Sequence, residues 1–267
     1  MVVKREHNWL FNAVNEGDGL KLLDWMKEKK EKATLAFLDP QYKSTKSTTD
    51  RYCYLGDEPP HHDQNSEQIK EFCHKIARVL KDGGWLALWI NQEILLNGGY
   101  RYWLPPELQV KSLLIWTKRK GNSLEGCLGQ TQNHFIHTEE YCILARKKPF
   151  ESPVLKKRTS NIFNHYIGTG KRFNVHMKPY KMLKSIIKQL TNKGDLVIDT
   201  CAGSFGVLIA CQSIGRTFLG CDISVGELMR FNINRENSRA LLNATKSESK
   251  EPVKKNQPKY IRNKLVK

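Results

Sequence analysis

Residues 195–224, DLVIDTCAGSFGVLIACQSIGRTFLGCDIS, constrain the fold more than any other stretch of the chain. An apolar run of strand length ends on Asp199, a turn of small residues follows, and the apolar positions of 205–214 then recur with helical spacing. A second apolar run, 217–222, ends on Asp222. Two strands joined by a helix of this length pair in parallel through a right-handed crossover, so the segment predicts one βαβ unit. Helices at 181–191, with apolar residues 182, 183, 186, 187 and 190, and at 225–242 flank it.

The front half continues the alternation. NWLFNAV (8–14) predicts a short strand, NEGDGL a turn, 20–30 a helix and 33–38 a buried strand. The loop 39–65 is long and polar. From Ser66 to Leu80 the residues Ile69, Phe72, Cys73, Ile76 and Leu80 share one helical face, and KDGG is expected to end that helix. Further strands are expected at 85–91, 112–118 and 141–147, whereas 148–173 is basic and weakly periodic. The chain is therefore expected to be α/β with a mostly parallel central sheet. Residues 1–243 would form one domain with small insertions near 43–65, 119–138 and 148–173, followed by a basic, disordered tail at 244–267.

Both strands of the βαβ unit end on an acid. The carboxyl edge of a parallel sheet is where nucleotide-like ligands bind, and the small-residue turn after Asp199 offers backbone N–H groups there. A Rossmann G-x-G-x-x-G and a phosphate-binding P-loop are both absent, and a purely structural turn is the competing explanation. Asp222 stands where a carboxylate can accept both hydroxyls of a ribose, but it also precedes a helix and could serve as its N-cap. The first buried strand ends in the same manner, as LDPQY (38–42). A carboxylate and a proline carbonyl can each accept one hydrogen of an exocyclic amine while a tyrosine stacks on the attached ring; the alternative is an Asp-Pro turn with a packed tyrosine.

The chain carries 44 Lys and Arg against 27 Asp and Glu, a net charge of +17. Residues 111–172 hold 12 basic and 4 acidic residues and 243–267 hold 8 and 2, so most of the excess sits in two segments and points to a polyanionic partner. Seven cysteines, at 53, 73, 127, 142, 201, 211 and 221, show no metal-site spacing and are expected to be reduced. His61, His62, His134, His137 and His176 lack H-E-x-x-H spacing and are expected to be solvated loop residues. Tyr100, Trp103 and Trp116 could stack on bases, although aromatic residues in such segments are more often core. No apolar run is long enough for a signal peptide or a membrane span, so no membrane partner and a cytoplasmic location are expected.

Taken together, DPQY (39–42), HMKP (176–179) and GDLVIDTCAGSFG (194–206) resemble the D-P-P-Y, K-P and G-D-x-V-L-D-P-F-x-G-S-G motifs of the amino-group DNA methyltransferases. The catalytic motif comes first and the cofactor motif last, which is the circularly permuted order of the β-group, and DPQY with AGSF is similar to a subset of it. The resemblance covers roughly residues 8–240 and implies an S-adenosylmethionine-dependent, Rossmann-like methyltransferase fold. It implies S-adenosylmethionine as cofactor and double-stranded DNA as partner, with a homodimer and a cognate restriction endonuclease as further candidates.

Carried onto this sequence, the resemblance assigns Asp39, Pro40, Gln41 and Tyr42 to the target amine. Asp199, Ala202, Gly203, Ser204 and Phe205 become the cofactor loop, Asp222 the ribose ligand, Lys178 and Pro179 the segment entering the cofactor pocket, and Asp18 a neighbour of the adenine. DNA contacts are expected from Lys118, Arg119, Lys120, Lys156, Lys157 and Arg158. Gln41 replaces the second proline of the motif, Thr200-Cys201 replaces Pro-Phe, and Phe205-Gly206 replaces Gly-Thr. The implied reaction is methylation of adenine N6 in DNA, because the family's N4-cytosine enzymes more often have serine where Asp39 stands. N4-cytosine methylation, RNA methylation and a catalytically silent nucleic-acid-binding domain are the alternatives.

Overall fold

A computed structural model of the chain describes residues 8–41, 64–120, 123–124, 138–150, 159–166 and 177–227, together with 230, 231, 233–235 and 238. The elements that frame the site run β1 (Asn15–Glu16), α1 (Gly19–Glu28), β2 (Ala33–Leu38), α2 (Ser66–Val79), β3 (Leu80–Ile90), α3 (Gln92–Asn97), α4 (Tyr100–Trp103), β4 (Leu108–Lys120), β5 (Ser123–Leu124), β6 (Glu139–Lys147), β7 (Ile162–Tyr166), α5 (Tyr180–Leu190), β8 (Leu196–Asp199), α6 (Gly206–Gln212) and β9 (Thr217–Asp222).

The strands form one sheet in the order β1-β9-β8-β2-β3-β6-β4-β5, with β7 paired to β4. The run from β1 to β3 is parallel, β6 is antiparallel to β3 and β4, and β7 is parallel to β4. Both faces of the sheet are covered, which explains why the parallel strands read as continuous apolar runs. On one face, Leu22, Leu23 and Met26 of α1 pack with Ile69, Phe72, Cys73 and Ile76 of α2 over Ala36, Leu38, Leu86 and Leu88. On the other, Met182, Leu183, Ile186 and Ile187 of α5 and Val207 and Leu208 of α6 cover Leu35, Phe37, Trp85, Trp89 and Val197. Each helical set recurs at i, i+3 or i+4, which is what turns a sequence pattern into one buried stripe.

Two elements differ from the sequence expectation. Residues 8–14 are not a strand; only Asn15–Glu16 pair with β9. The cause is asparagine chemistry: Asn12 adopts φ 56, its side chain accepts from Phe218 N–H at 2.8 Å, and Asn15 accepts from Leu10 N–H at 2.9 Å, so side chains take backbone bonds that a strand would use. Likewise KDGG does not cap α2. That helix ends at Leu80, which is already extended, and residues 81–84 bulge out of β3 between its pairings with Ala33 and Leu35, with Gly83 at φ 74.

The expected helix at 225–242 falls partly within the described residues, and those from Glu227 onward that are described are helical. The expected insertion at 43–65 lies outside them except for its last two residues, and the tail at 244–267 lies outside them entirely. No helix among the described residues is long and apolar enough to cross a membrane.

Candidate active site

The chain leaves β8 through α6 toward β9, and leaves β2 through α2 toward β3 on the opposite side. The carboxyl ends of β8 and β2 therefore face a topological switch point, where open parallel sheets bind ligands. Registry brings three acids to that edge. Phe37 pairs with Asp199, placing Asp39 two residues beyond it, and Asp199 pairs with Gly220, placing Asp222 two residues beyond that.

An open cleft lies at this edge, lined by Phe37, Asp39, Gln41, Trp89, Lys178, Leu183, Asp199, Cys201, Ala202, Gly203, Ser204, Gly206, Val207 and Asp222. It unites Asp39 and Gln41, Lys178, Asp199, residues 201–204 and Asp222, which lie far apart in the chain. Pro40 is buried next to Asp39. Tyr42, the histidines at 61, 62, 134, 137 and 176, and Lys156, Lys157 and Arg158 lie outside the described residues. The Gln41 carbonyl accepts from Gln64 N–H at 2.6 Å, and the Gln64 side chain donates to the Cys201 thiol at 3.5 Å. Gln41 and Gln64 thus sit side by side next to the loop that follows β8.

That loop is held by carboxylates. Asp199 accepts from Cys201 N–H at 3.3 Å and Asp222 from Gly203 N–H at 2.8 Å. Asp222 also accepts from Ser224 N–H at 3.4 Å, a local turn contact rather than a helix cap. Burial pushes the Asp199 carboxyl up to about 8; Asp39 and Asp222 push the same way, against the Cys201 N–H bond and Lys178. Burial likewise pushes the Cys201 thiol well up, so it is a poor nucleophile. Phe205 is fully buried, does not line the cleft and packs edge-on against Phe218 with ring centroids 6.2 Å apart. It takes φ 53 and ψ 31, the left-handed conformation that its position ahead of α6 demands and that glycine would adopt without strain.

Asp18 also stands outside the cleft lining: its carboxylate caps α1, accepting from Leu20 N–H at 2.8 Å. It lies in the turn joining β1 to α1, alongside β9, where Gly17 N–H donates to the Asp222 carbonyl at 2.8 Å. Gly19 lets that turn approach β8, since a Cβ there would collide with the Thr200 carbonyl. Pro179 is the N-cap residue of α5, and its carbonyl accepts from Met182 and Leu183 N–H.

Lys178 lines the cleft, but its ammonium meets a carboxylate of the other motif: Nζ is 2.6 Å from Asp39 Oδ2, 3.0 Å from Glu140 Oε2 and 4.7 Å from the Trp89 ring centre. Burial alone would lower the lysine, but Asp39 and Glu140 outweigh it and hold the ammonium above the usual lysine range. Glu140 is brought down to about 2, because Lys178 and Lys118 outweigh the effect of its burial. Lys118 lies 2.7 Å from Glu140 Oε1, on the β4 end nearest the site. Arg119 and Lys120 follow it on the same strand. Glu140 and Trp89 do not stand out in the sequence. The one signal there is an acid at 140 on the strand face that continues through Cys142 and Leu144, both buried.

The comparisons with known proteins agree with this geometry. A family model described as DNA methylase matches residues 33–229. The type II methyltransferase M.HhaII of Haemophilus parahaemolyticus is 28% identical over 229 residues, covering 81% of this chain and 92% of that protein. Among solved structures, the M1.HpyAVI–SAM complex aligns with a TM-score of 0.59 at 17% identity, covering 84% of this chain and 98% of that one. The cytosine-N4-specific PvuII DNA methyltransferase aligns at 0.53 and 14% identity, covering 86% and 92%. The fold is thus that of the S-adenosylmethionine-dependent methyltransferases, an α/β architecture on a mostly parallel sheet.

Proposed function

We propose that this chain, which belongs to the DNA methylase family of N6 and N4 amino-group enzymes, methylates the exocyclic N6 of adenine in double-stranded DNA with S-adenosylmethionine as donor. The observation that carries the proposal is that Asp39 and Asp199, from neighbouring strands, line one cleft at the switch point. The cleft suits the cofactor. Asp39, Asp199 and Asp222 line the cleft beside Lys178, the one cationic side chain among the described lining residues, and Asp199 can release its proton as a ligand carrying a sulfonium and an ammonium enters. Asp222 would accept the ribose hydroxyls, and the turn at 202–204 would line the loop side of the ligand. When bound, S-adenosylmethionine supplies an electrophilic methyl group.

An aromatic amine is a poor nucleophile because its lone pair is delocalised into the ring. Asp39 and the Pro40 carbonyl would each accept one of its hydrogens, draw the nitrogen toward tetrahedral geometry and expose the lone pair toward the cofactor loop. Holding both partners on adjacent strand ends supplies the orientation that the transfer needs. The target base must leave the duplex to reach this edge, and Tyr42 is assigned to stack on it. The Lys118–Lys120 end of β4 opens on the same edge of the sheet, in keeping with phosphate contacts there.

Asp39, rather than serine, at the head of the motif favours adenine over cytosine. The motif order, with DPQY next in sequence after β2 and AGSF following β8, supports the permuted β-group. The test is nucleoside mass spectrometry after duplex DNA is incubated with the protein and S-adenosylmethionine. N6-methyladenine is expected. N4-methylcytosine alone would replace the adenine assignment, and methylation of RNA but not DNA would remove duplex DNA as the substrate.

A further inference from the structure

We propose that Glu140 is a positioning residue for methyl transfer, holding the Lys178 ammonium against Asp39 so that one carboxylate oxygen is committed to lysine and the other to the target amine. The inference rests on the function proposed above. Four charges of alternating sign run from the cleft to the end of β4: Asp39 Oδ2 to Lys178 at 2.6 Å, Lys178 to Glu140 Oε2 at 3.0 Å, and Glu140 Oε1 to Lys118 at 2.7 Å. Each Glu140 oxygen therefore holds a different lysine. The topology makes this arrangement possible. β6 is antiparallel to β3, so the first residues of β6 lie at the edge where the parallel strands end, and Tyr141 pairs with Ile90 there.

Glu140 is partly exposed near the start of β6, so it keeps some access to water while reaching both lysines. Glu140 faces the same side of β6 as Cys142 and Leu144, both buried in an apolar cluster with Trp89 and Trp116. Its charge has an electrostatic use. A lysine facing Asp39 alone would draw the carboxylate's electron density to itself and weaken it as an acceptor for the amine. Sharing that ammonium with Glu140 fixes the Asp39 side chain in orientation while lessening the pull. Lys118 in turn takes the second Glu140 oxygen and limits where the glutamate can point.

The charged and titratable groups facing Lys178 are Asp39 beyond β2, Glu140 and the Cys142 thiol on β6, and Asp199 at the end of β8, while Lys118 on β4 acts through Glu140. Asp39 and Glu140 together keep the lysine protonated beyond its usual range. Removing the Glu140 charge removes one of those two contributions, so Lys178 must lose its proton at a lower pH than in the wild type.

The experiment is a double-mutant cycle on the full chain using Glu140→Gln, Lys178→Met and the pair, with single-turnover methyl transfer measured beside S-adenosylmethionine affinity and Tm. Glu140→Gln is expected to slow transfer by about tenfold or more, as for losing one charge-assisted hydrogen bond. Its cofactor affinity should stay close to wild type. Glu140→Asp, which keeps the charge, should recover part of the rate. The paired variant should be no slower than Lys178→Met alone, because Glu140 acts through the lysine. Losses that multiply in the pair, or a Glu140→Gln variant with an unchanged rate per folded molecule, would overturn the inference. A wild-type protein that methylates no nucleic acid would instead remove the proposed function, and this inference with it.

Discussion

Asp199 is only 5% exposed at the end of β8, and its carboxyl is pushed from the usual 3.8 to about 8 by burial first, opposed by a bond from Cys201 N–H, with neighbouring acids adding to the rise. A folded-state value above the unfolded one means that the folded chain binds the extra proton between those two limits. Its contribution to stability is therefore complete below about pH 4 and is lost as pH rises through about 8. The Tm of the ligand-free protein should fall between pH 5 and about pH 8, and Asp199→Asn should flatten that decline. A cationic cofactor favours the ionised acid, so S-adenosylmethionine affinity should rise over the same window, with proton release visible by calorimetry in buffers of different ionisation enthalpy. Binding with no proton exchange near pH 7 would separate Asp199 from the cofactor. Asp222 invites a different substitution, because Asn can still accept from Gly203 N–H. Asp222→Asn should leave Tm nearly unchanged and weaken S-adenosylmethionine binding by about tenfold or more through loss of a charged acceptor. Full affinity in that variant would make the loop contact its whole role.

The turn between β8 and α6 shows where local rules give way to packing. Phe205 offsets its left-handed backbone with complete burial against Phe218. Phe205→Ala keeps the strained φ and forfeits the burial, which should cost about 3–5 kcal/mol. Phe205→Gly forfeits the same burial but relieves the strain, so it should be less damaging by roughly 1 kcal/mol, the reverse of the usual order in a helix; chemical denaturation of both variants checks it. A phenylalanine whose anchor, Phe218, is 13 residues away gives no sequence sign that it will adopt φ 53. Strands β2, β8 and β9, by contrast, are legible almost to the residue, because strands covered on both faces must be continuously apolar and each ends on an acid. The stretch 8–14 misleads because apolar Trp9 and Leu10 resemble a strand while Asn12 and Asn15 turn the backbone. KDGG misleads because glycine serves a bulge as readily as a helix end. The Asp39–Lys178–Glu140 cluster lies beyond sequence reasoning, since Lys178 reaches a partner 139 residues away.

Across the whole molecule, the net charge of +17 contrasts with the acids that line the edge cleft, so the proposed duplex DNA substrate is expected to be held by the basic segments rather than by the cleft lining. Affinity for DNA should fall steeply with salt, and neutralising Lys156, Lys157 and Arg158 together should reduce the slope of log affinity against log salt by about 0.9 for each phosphate that these side chains no longer pair with. An unchanged slope would move the DNA to other basic residues. The proposed function also divides the work between strands, assigning the target amine to the end of β2 and the cofactor to the ends of β8 and β9, which line one cleft. The two functions should therefore come apart under one substitution. Asp39→Ala removes the acceptor for the amine and leaves Asp199, Asp222 and the Glu140–Lys178 pair in place. Single-turnover methyl transfer to duplex DNA by this variant, measured beside its cofactor affinity and Tm, should fall about 100-fold or more while S-adenosylmethionine binding and folding persist. A folded Asp39→Ala protein that transfers methyl groups at near the wild-type rate would contradict the assignment of this strand end as the catalytic site.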